Sequence, residues 1–146
     1  MSLTGGCRCG EVRYAIELEG LPTSYACHCR DCQTWSGSAF ALHSLLPENL
    51  LTLSGDPVDF QLRADETMAS IHIGCPVCMT RIANRNAAVP GMIIVRAGTL
   101  DRSDEIVPAA HIWTRRKQPW VNIGNSPDFA ETPSHEQFAK ALRADT

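Results

Sequence analysis

Ala26-Cys27-His28-Cys29-Arg30-Asp31-Cys32-Gln33-Thr34-Trp35-Ser36-Gly37 holds three cysteines in a Cys-x-Cys-x-x-Cys spacing. The other four cysteines form two more close pairs, Cys7 with Cys9 and Cys75 with Cys78, so none stands alone. Three thiols packed so tightly cannot all be satisfied by one disulfide. A Cys-x-Cys pair also closes too small a ring for an unstrained bridge, which leaves metal ligation as the better reading. An odd total of seven adds to the case against a pure disulfide framework.

The two pairs account for one ion between them. Cys7 and Cys9, flanked by Gly5-Gly6 and Gly10, sit in a turn whose glycines let both sulfurs face one centre. Cys75-Pro76-Val77-Cys78 supplies the other half. Four thiolates close a structural zinc site and would tie the first turn to the middle of the chain. The alternative for Cys75 and Cys78 is a redox dithiol, but no helix signal follows Cys78 and no βαβ pattern surrounds it. The triplet Cys27, Cys29 and Cys32 then reads as a second zinc site with one corner open to water or substrate, the mark of a catalytic centre. The alternative is a closed site completed by His28, or by His43, His72 or His111. His28 lies between two ligands, so its ring is expected to point away from the ion. An electron-rich three-thiolate zinc favours capture of a substrate thiol over hydrolysis by bound hydroxide.

The 146 residues indicate one domain, and a hydrophobic content of 44% argues against disorder. The net charge of −3 gives no electrostatic case for nucleic acid. No secretory signal and no apolar run of about 18 residues is visible, so a cytoplasmic protein without a membrane segment is expected. Clustered cysteines there mean metal or redox chemistry.

Strand signals dominate. Glu11–Leu18 alternates polar and apolar residues, and a short strand at 23–26 delivers the triplet. One helical turn is expected at 31–35 and a strand at 38–46. Leu50–Leu53 and Val58–Leu62, joined by Ser54-Gly55-Asp56-Pro57, read as a hairpin. Further strands are expected at 68–73, 81–83, 92–95 and 109–113, with a bend and short edge at 97–101. Ser134 and Gln137 fit a capping box, and Phe138 and Leu142 share a face, predicting a short C-terminal helix. The fold class is mainly all-β: small sheets tied by a four-cysteine zinc, plus that helix.

Gly6-Cys7-Arg8-Cys9-Gly10, Cys27-His28-Cys29-Arg30-Asp31-Cys32 with Ser36-Gly37, and Cys75-Pro76-Val77-Cys78 together carry a family resemblance. It continues through Ala97-Gly98-Thr99-Leu100-Asp101, Pro108, His111-Ile112, Trp120 and Pro127-Asp128-Phe129. On these motifs the chain resembles the glutathione-dependent formaldehyde-activating enzyme family, which includes the centromere protein V domain. The resemblance covers about residues 4 to 130 and makes 131–146 a C-terminal extension of a single domain spanning 1–146. It implies a two-zinc, mostly β fold, with Cys7, Cys9, Cys75 and Cys78 on the structural ion and Cys27, Cys29 and Cys32 on the second.

The activity implied is that of a carbon–sulfur lyase, in which formaldehyde plus glutathione gives S-hydroxymethylglutathione. A non-catalytic zinc-binding interaction module of the same fold is the alternative. Arg30, Arg13 and Gln33 are candidates for stabilising a developing alkoxide, and Arg115, Arg116 or Lys117 for meeting a glutathione carboxylate. The chain departs from the family at Met79, where glycine is usual, and at Ile73-Gly74, where an aromatic often stands. Without glycine, the turn after Cys78 is made without a positive φ or in a strained form.

Overall fold

The computed structural model describes residues 2–61 and 70–143. Leu62, Met68 and Ala69, which the sequence reading assigned to strand ends, lie outside them. Eleven strands and two α-helices form among the described residues, a mostly β architecture. No helix among them is long and apolar enough to cross a membrane. The chain divides into two compact units, Met1–Pro22 with Ser44–Glu105, and Thr23–His43 with Ile106–Thr146.

In the first unit, β1 (Leu3–Gly6), β2 (Arg13–Ile16) and β5 (Leu51–Ser54) form an antiparallel sheet in the order β1-β2-β5. The alternation read at 11–18 sends Val12, Tyr14 and Ile16 into the core. β1 was not expected, because Gly5-Gly6 reads as a turn. Gly5 serves close approach instead: a Cβ there would sit 2.3 Å from the Tyr14 hydroxyl and 2.6 Å from the Thr99 carbonyl. β6 (Val58–Gln61), β7 (Ser70–Gly74), β8 (Arg81–Asn86) and β9 (Met92–Arg96) follow as an antiparallel run in the order β9-β8-β7-β6. Ile73, Ile82, Ile93 and Val95 are its buried aliphatics.

The hairpin expected across Ser54–Pro57 does not form. The chain does turn there, but β5 pairs with β2, Ile16 opposite Leu51, while β6 pairs with β7, Phe60 opposite His72. Turn residues specify a reversal, whereas the pairing partner follows from burial between distant segments. Gly55 shows that distant packing directly: at φ 86°, a Cβ would lie 1.9 Å from the Glu11 carbonyl oxygen. Ala97–Thr99 is likewise a single 3-10 turn rather than a bend with an edge strand, although Leu100 bridges to Gly5.

The second unit carries β3 (Tyr25–Cys27), α1 (Arg30–Ser36), β10 (Ala110–Ile112), β11 (Asp128–Phe129) and α2 (His135–Arg143). β4 (Ala41–Pro47) begins in this unit and ends in the other. The order is β11-β10-β3-β4, with β10 parallel to both β3 and β11 and β4 antiparallel to β3. Its buried apolar residues are Tyr25, Cys27 and alanines, and its largest fully buried side chain is His28. Tyr25 meets the His43 and Phe138 rings edge-on, at 5.3 and 4.7 Å between centroids. Phe138 reaches that position because α2 starts where the capping box starts it. Gln137 N–H donates to Ser134 Oγ at 3.2 Å, and Ser134 N–H to Gln137 Oε1 at 3.1 Å.

Candidate metal centres and the adjoining cleft

The four paired cysteines converge in the first unit. The thiol sulfurs of Cys7, Cys9, Cys75 and Cys78 all lie within 4.8 Å of one another. Cys7 and Cys9 are 3.6 Å apart, and Cys9 and Cys75 are 3.7 Å apart. Zn–S bonds of about 2.3 Å in a tetrahedron place sulfurs roughly 3.8 Å apart, so the donors suit a zinc-sized ion. Backbone N–H groups support them: Val12 donates to Cys7 at 3.2 Å, and Val77 and Cys78 to Cys75 at 3.4 and 3.5 Å. Bonds from Thr80 bring the Cys78 thiol down to about 5, while Cys9 is pushed up to about 12, the nearby Glu11 N–H being outweighed by burial and the other thiols.

The turn that presents Cys78 takes the strained form. Met79 has φ 64° and donates its N–H to the Cys75 carbonyl at 3.0 Å. Its side chain is 87% exposed, so nothing packs against it to compensate. Met79→Gly is therefore expected to stabilise the metal-loaded protein by about 1 kcal/mol. A thermal melt that moves down, or not at all, would show that the turn carries no strain.

The triplet is assembled in the second unit by a strand end and a helix start. β3 ends at Cys27, buried at 5% exposure, with Ile112 of β10 opposite it. The chain then turns at Cys29, which caps α1: its Sγ accepts the Cys32 N–H at 3.3 Å. The three sulfurs lie within 4.8 Å of one another, and no fourth His, Cys, Asp or Glu donor among the described residues completes the group. Hydrogen bonds from Cys27, then Cys32, hold the Cys29 thiol down at about 2. Its bonding to Cys29 and Cys32 pushes the Cys27 thiol far up. Three thiols this close share their protons, and the donor set suits a cation.

The four histidines weighed for this site fall differently. His28 is fully buried, and its Nε2 lies 2.8 Å from His111 Nδ1. Burial, with His111 and Lys117 nearby, lowers its pKa to about 4, so it is neutral at pH 7. His43 Nε2 lies 3.9 Å from Cys32 Sγ. His72 belongs to the other unit, where its ring stacks on Phe60.

Gln33, a candidate for alkoxide contact, has both N–H donors committed. One goes to the His28 carbonyl at 2.7 Å and the other to the Arg116 carbonyl at 2.8 Å. It braces the Cys27–Cys29 loop against the Thr114–Arg116 turn. Arg13 is bound in a salt bridge to Asp101, which also accepts from Thr4. Asp101 is thus the anchor of that pair. Arg115 pairs with Glu131, and Lys117 Nζ donates to the Gln118 and Val121 carbonyls.

A cleft of about 490 Å³ is lined by Arg30, Gln33 and Thr34 of α1 and by Gln118 and Trp120 among others, Arg30 and Gln33 being chain neighbours of Cys29 and Cys32. Sequence reasoning had no means to assemble it, because 85 residues separate Gln33 from Gln118, which meet at 3.3 Å.

No curated protein matches the chain. A crystal structure of a Rhodobacter sphaeroides protein matches with a TM-score of 0.55 and 21% identity, over 73% of this chain and 98% of that one. That likeness concerns the fold. The family model described as glutathione-dependent formaldehyde-activating enzyme matches residues 2–116, a span that holds all seven cysteines, and the chain belongs to that family.

Proposed function

We propose that this protein is a zinc-dependent carbon–sulfur lyase of the glutathione-dependent formaldehyde-activating type, which forms or breaks a thiol–aldehyde adduct such as S-hydroxymethylglutathione. The observation that carries this reading is the grouping of Cys27, Cys29 and Cys32 without a fourth donor of the same kind among the described residues. Cys7, Cys9, Cys75 and Cys78 would hold a structural zinc, and the triplet a second one. When bound there, zinc lowers the pKa of a substrate thiol and keeps it as the thiolate.

The chain's own contribution is position and charge. Cys29 presents its sulfur from the cap of α1, and Gln33 fixes the loop carbonyl between Cys27 and Cys29. A thiol and an aldehyde held side by side react with the advantage of proximity. In the forward direction the sulfur lone pair forms the carbon–sulfur bond, and the carbonyl π pair moves to oxygen. That oxygen takes up the proton the thiol released. Reversal regenerates both partners.

Elemental analysis of freshly purified protein is expected to find two zinc ions per chain. The cobalt-substituted form should develop a sulfur-to-cobalt charge-transfer band that changes when glutathione is added. Exchange of formaldehyde with glutathione, followed by magnetisation-transfer NMR, should exceed the uncatalysed rate. An unchanged cobalt spectrum with no acceleration would overturn the enzyme reading in favour of an interaction module.

A further inference from the structure

Resting on the zinc reading of the triplet above, we propose that His28 and His111 are positioning residues that hold the Cys27–Cys29 loop in its metal-ligating shape. They perform the task that a fourth sulfur performs at the other cluster.

The two Cys-x-Cys loops of the chain differ in what stands between their sulfurs. Arg8, between Cys7 and Cys9, is exposed, and its backbone N–H donates to Thr80 Oγ1 at 3.3 Å. His28, between Cys27 and Cys29, has no solvent exposure. The spacing is the same and the burial opposite. Four sulfurs gather around the first loop and three around the second. An ion with four thiolates draws its own tetrahedron together, whereas an open site leaves more of its geometry to the chain.

Three ties fix His28. Its backbone N–H donates to the Ile112 carbonyl at 3.0 Å, and its own carbonyl accepts from Gln33 Nε2 at 2.7 Å. These hold the backbone between the two cysteines. Its ring Nε2 lies 2.8 Å from His111 Nδ1, which holds the side chain. His28 Nδ1 is buried with no hydrogen-bond partner, so the bond to His111 is the polar tie of that ring. The Phe40 ring lies 5.2 Å away, tilted by 47°.

Burying an imidazole with one nitrogen unsatisfied is unfavourable, and an apolar side chain in the same place would avoid that cost. What the imidazole adds is direction, since a hydrogen bond fixes an angle and apolar burial does not. The anchor is firm. His111 lies on β10 between β3 and β11, opposite Ala26, and the next residue, Ile112, lies opposite Cys27.

The test loads wild type and variants with zinc, titrates them with a chelator and alkylates the freed thiols. Peptide mass spectrometry then reads the two clusters separately, the triplet at Cys29 and Cys32 and the other at Cys9 and Cys78, none of which is buried. In His111→Leu the chelator concentration that frees the triplet should fall at least tenfold, while that for the four-cysteine cluster stays within twofold. His111→Asn, whose amide can bond His28 Nε2 from a similar position, should return to within threefold of wild type. His28→Leu/His111→Leu leaves neither partner buried and unsatisfied, so it should fold, and it should free the triplet no more easily than the worse single variant. The ligand-field bands of cobalt at the triplet should shift in His111→Leu and recover in His111→Asn. Arg8→Ala should alter neither cluster.

A triplet that His111→Leu leaves unchanged, equal loosening of both clusters, or His111→Asn no better than His111→Leu overturns the positioning role and leaves the zinc reading intact. So does loosening of the four-cysteine cluster by Arg8→Ala, which would remove the contrast between the loops. A wild-type triplet alkylated at the outset, with a single zinc per chain, overturns the zinc reading and the positioning role together.

Discussion

Cys75→Ser is expected to lower the metal content from two ions per chain to one and to cost the first unit most of its stability. Cys75 is buried at 3% exposure, and two backbone N–H groups aim at its sulfur. Its partners Cys7 and Cys9 lie more than sixty residues earlier in the chain, so an ion held by all four would close a long loop. A serine oxygen is shorter and a poorer ligand, and it leaves three thiols crowded without the cation that neutralises them. Structural zinc contributes about 10–16 kcal/mol in small metal-dependent peptides, against about 5–15 kcal/mol of total stability for a typical domain. Even a third of that contribution would lower the melting temperature by roughly 10 °C or more in a chain of this size. Elemental analysis with a thermal melt checks both parts. A variant that keeps two ions and melts within a degree or two of wild type would remove the four-cysteine site from the account of stability.

Cys29→Ser separates chemistry from folding in the second unit. Cys29 has two tasks: its sulfur belongs to the triplet, and it caps α1 by accepting the Cys32 N–H. Serine is among the best residues at a helix N-cap, so the substitution preserves the second task while removing the soft donor. The helix should persist and the ion at Cys7, Cys9, Cys75 and Cys78 should remain. The triplet should lose its ion, and affinity for glutathione should fall at least a hundredfold, about 2.7 kcal/mol. Cys29→Ala, which loses both tasks, should add about 1 kcal/mol of destabilisation to the same loss of binding. The measurements are metal per chain, glutathione affinity and the far-ultraviolet circular dichroism. Glutathione affinity unchanged in Cys29→Ser would show that thiols bind somewhere other than the triplet.

The two variants exploit a difference in how the units are built. The first has isoleucines and valines buried from several strands, while the second buries chiefly alanines, Tyr25 and histidines. A unit with so little aliphatic burial gains only modestly from the hydrophobic effect, at roughly 25 cal/mol per Å². Its remaining order is carried by polar ties, among them His28 with His111 and Gln33 with two carbonyls. Such ties place side chains closely, which suits a site.

Much of this was legible before folding because it depends on neighbours in the chain. Spacings of two and three residues bring cysteines together wherever the backbone goes, and the Ser134–Gln137 capping box is complete within four residues. The alternation of Val12, Tyr14 and Ile16 likewise names its buried face without reference to a partner. The absence of glycine at Met79 announced either a different turn or strain, and the backbone adopts the strained one. A left-handed conformation also occurs at Trp113, where an expected strand ends one residue early, and no residue pattern signals it.

Sequence alone determined the sulfur groups, the β class, the C-terminal helix and the family, because local spacing and period-two burial are properties of short segments. Only the tertiary structure decided that β5 joins β2 rather than β6, and that Asp101 claims Arg13. It also decided that Gln118 and Trp120 line one cleft with Arg30. Each of these is a choice among distant partners with similar local chemistry. The choice is made by burial and by which charges are already satisfied, quantities that exist only once the chain has folded.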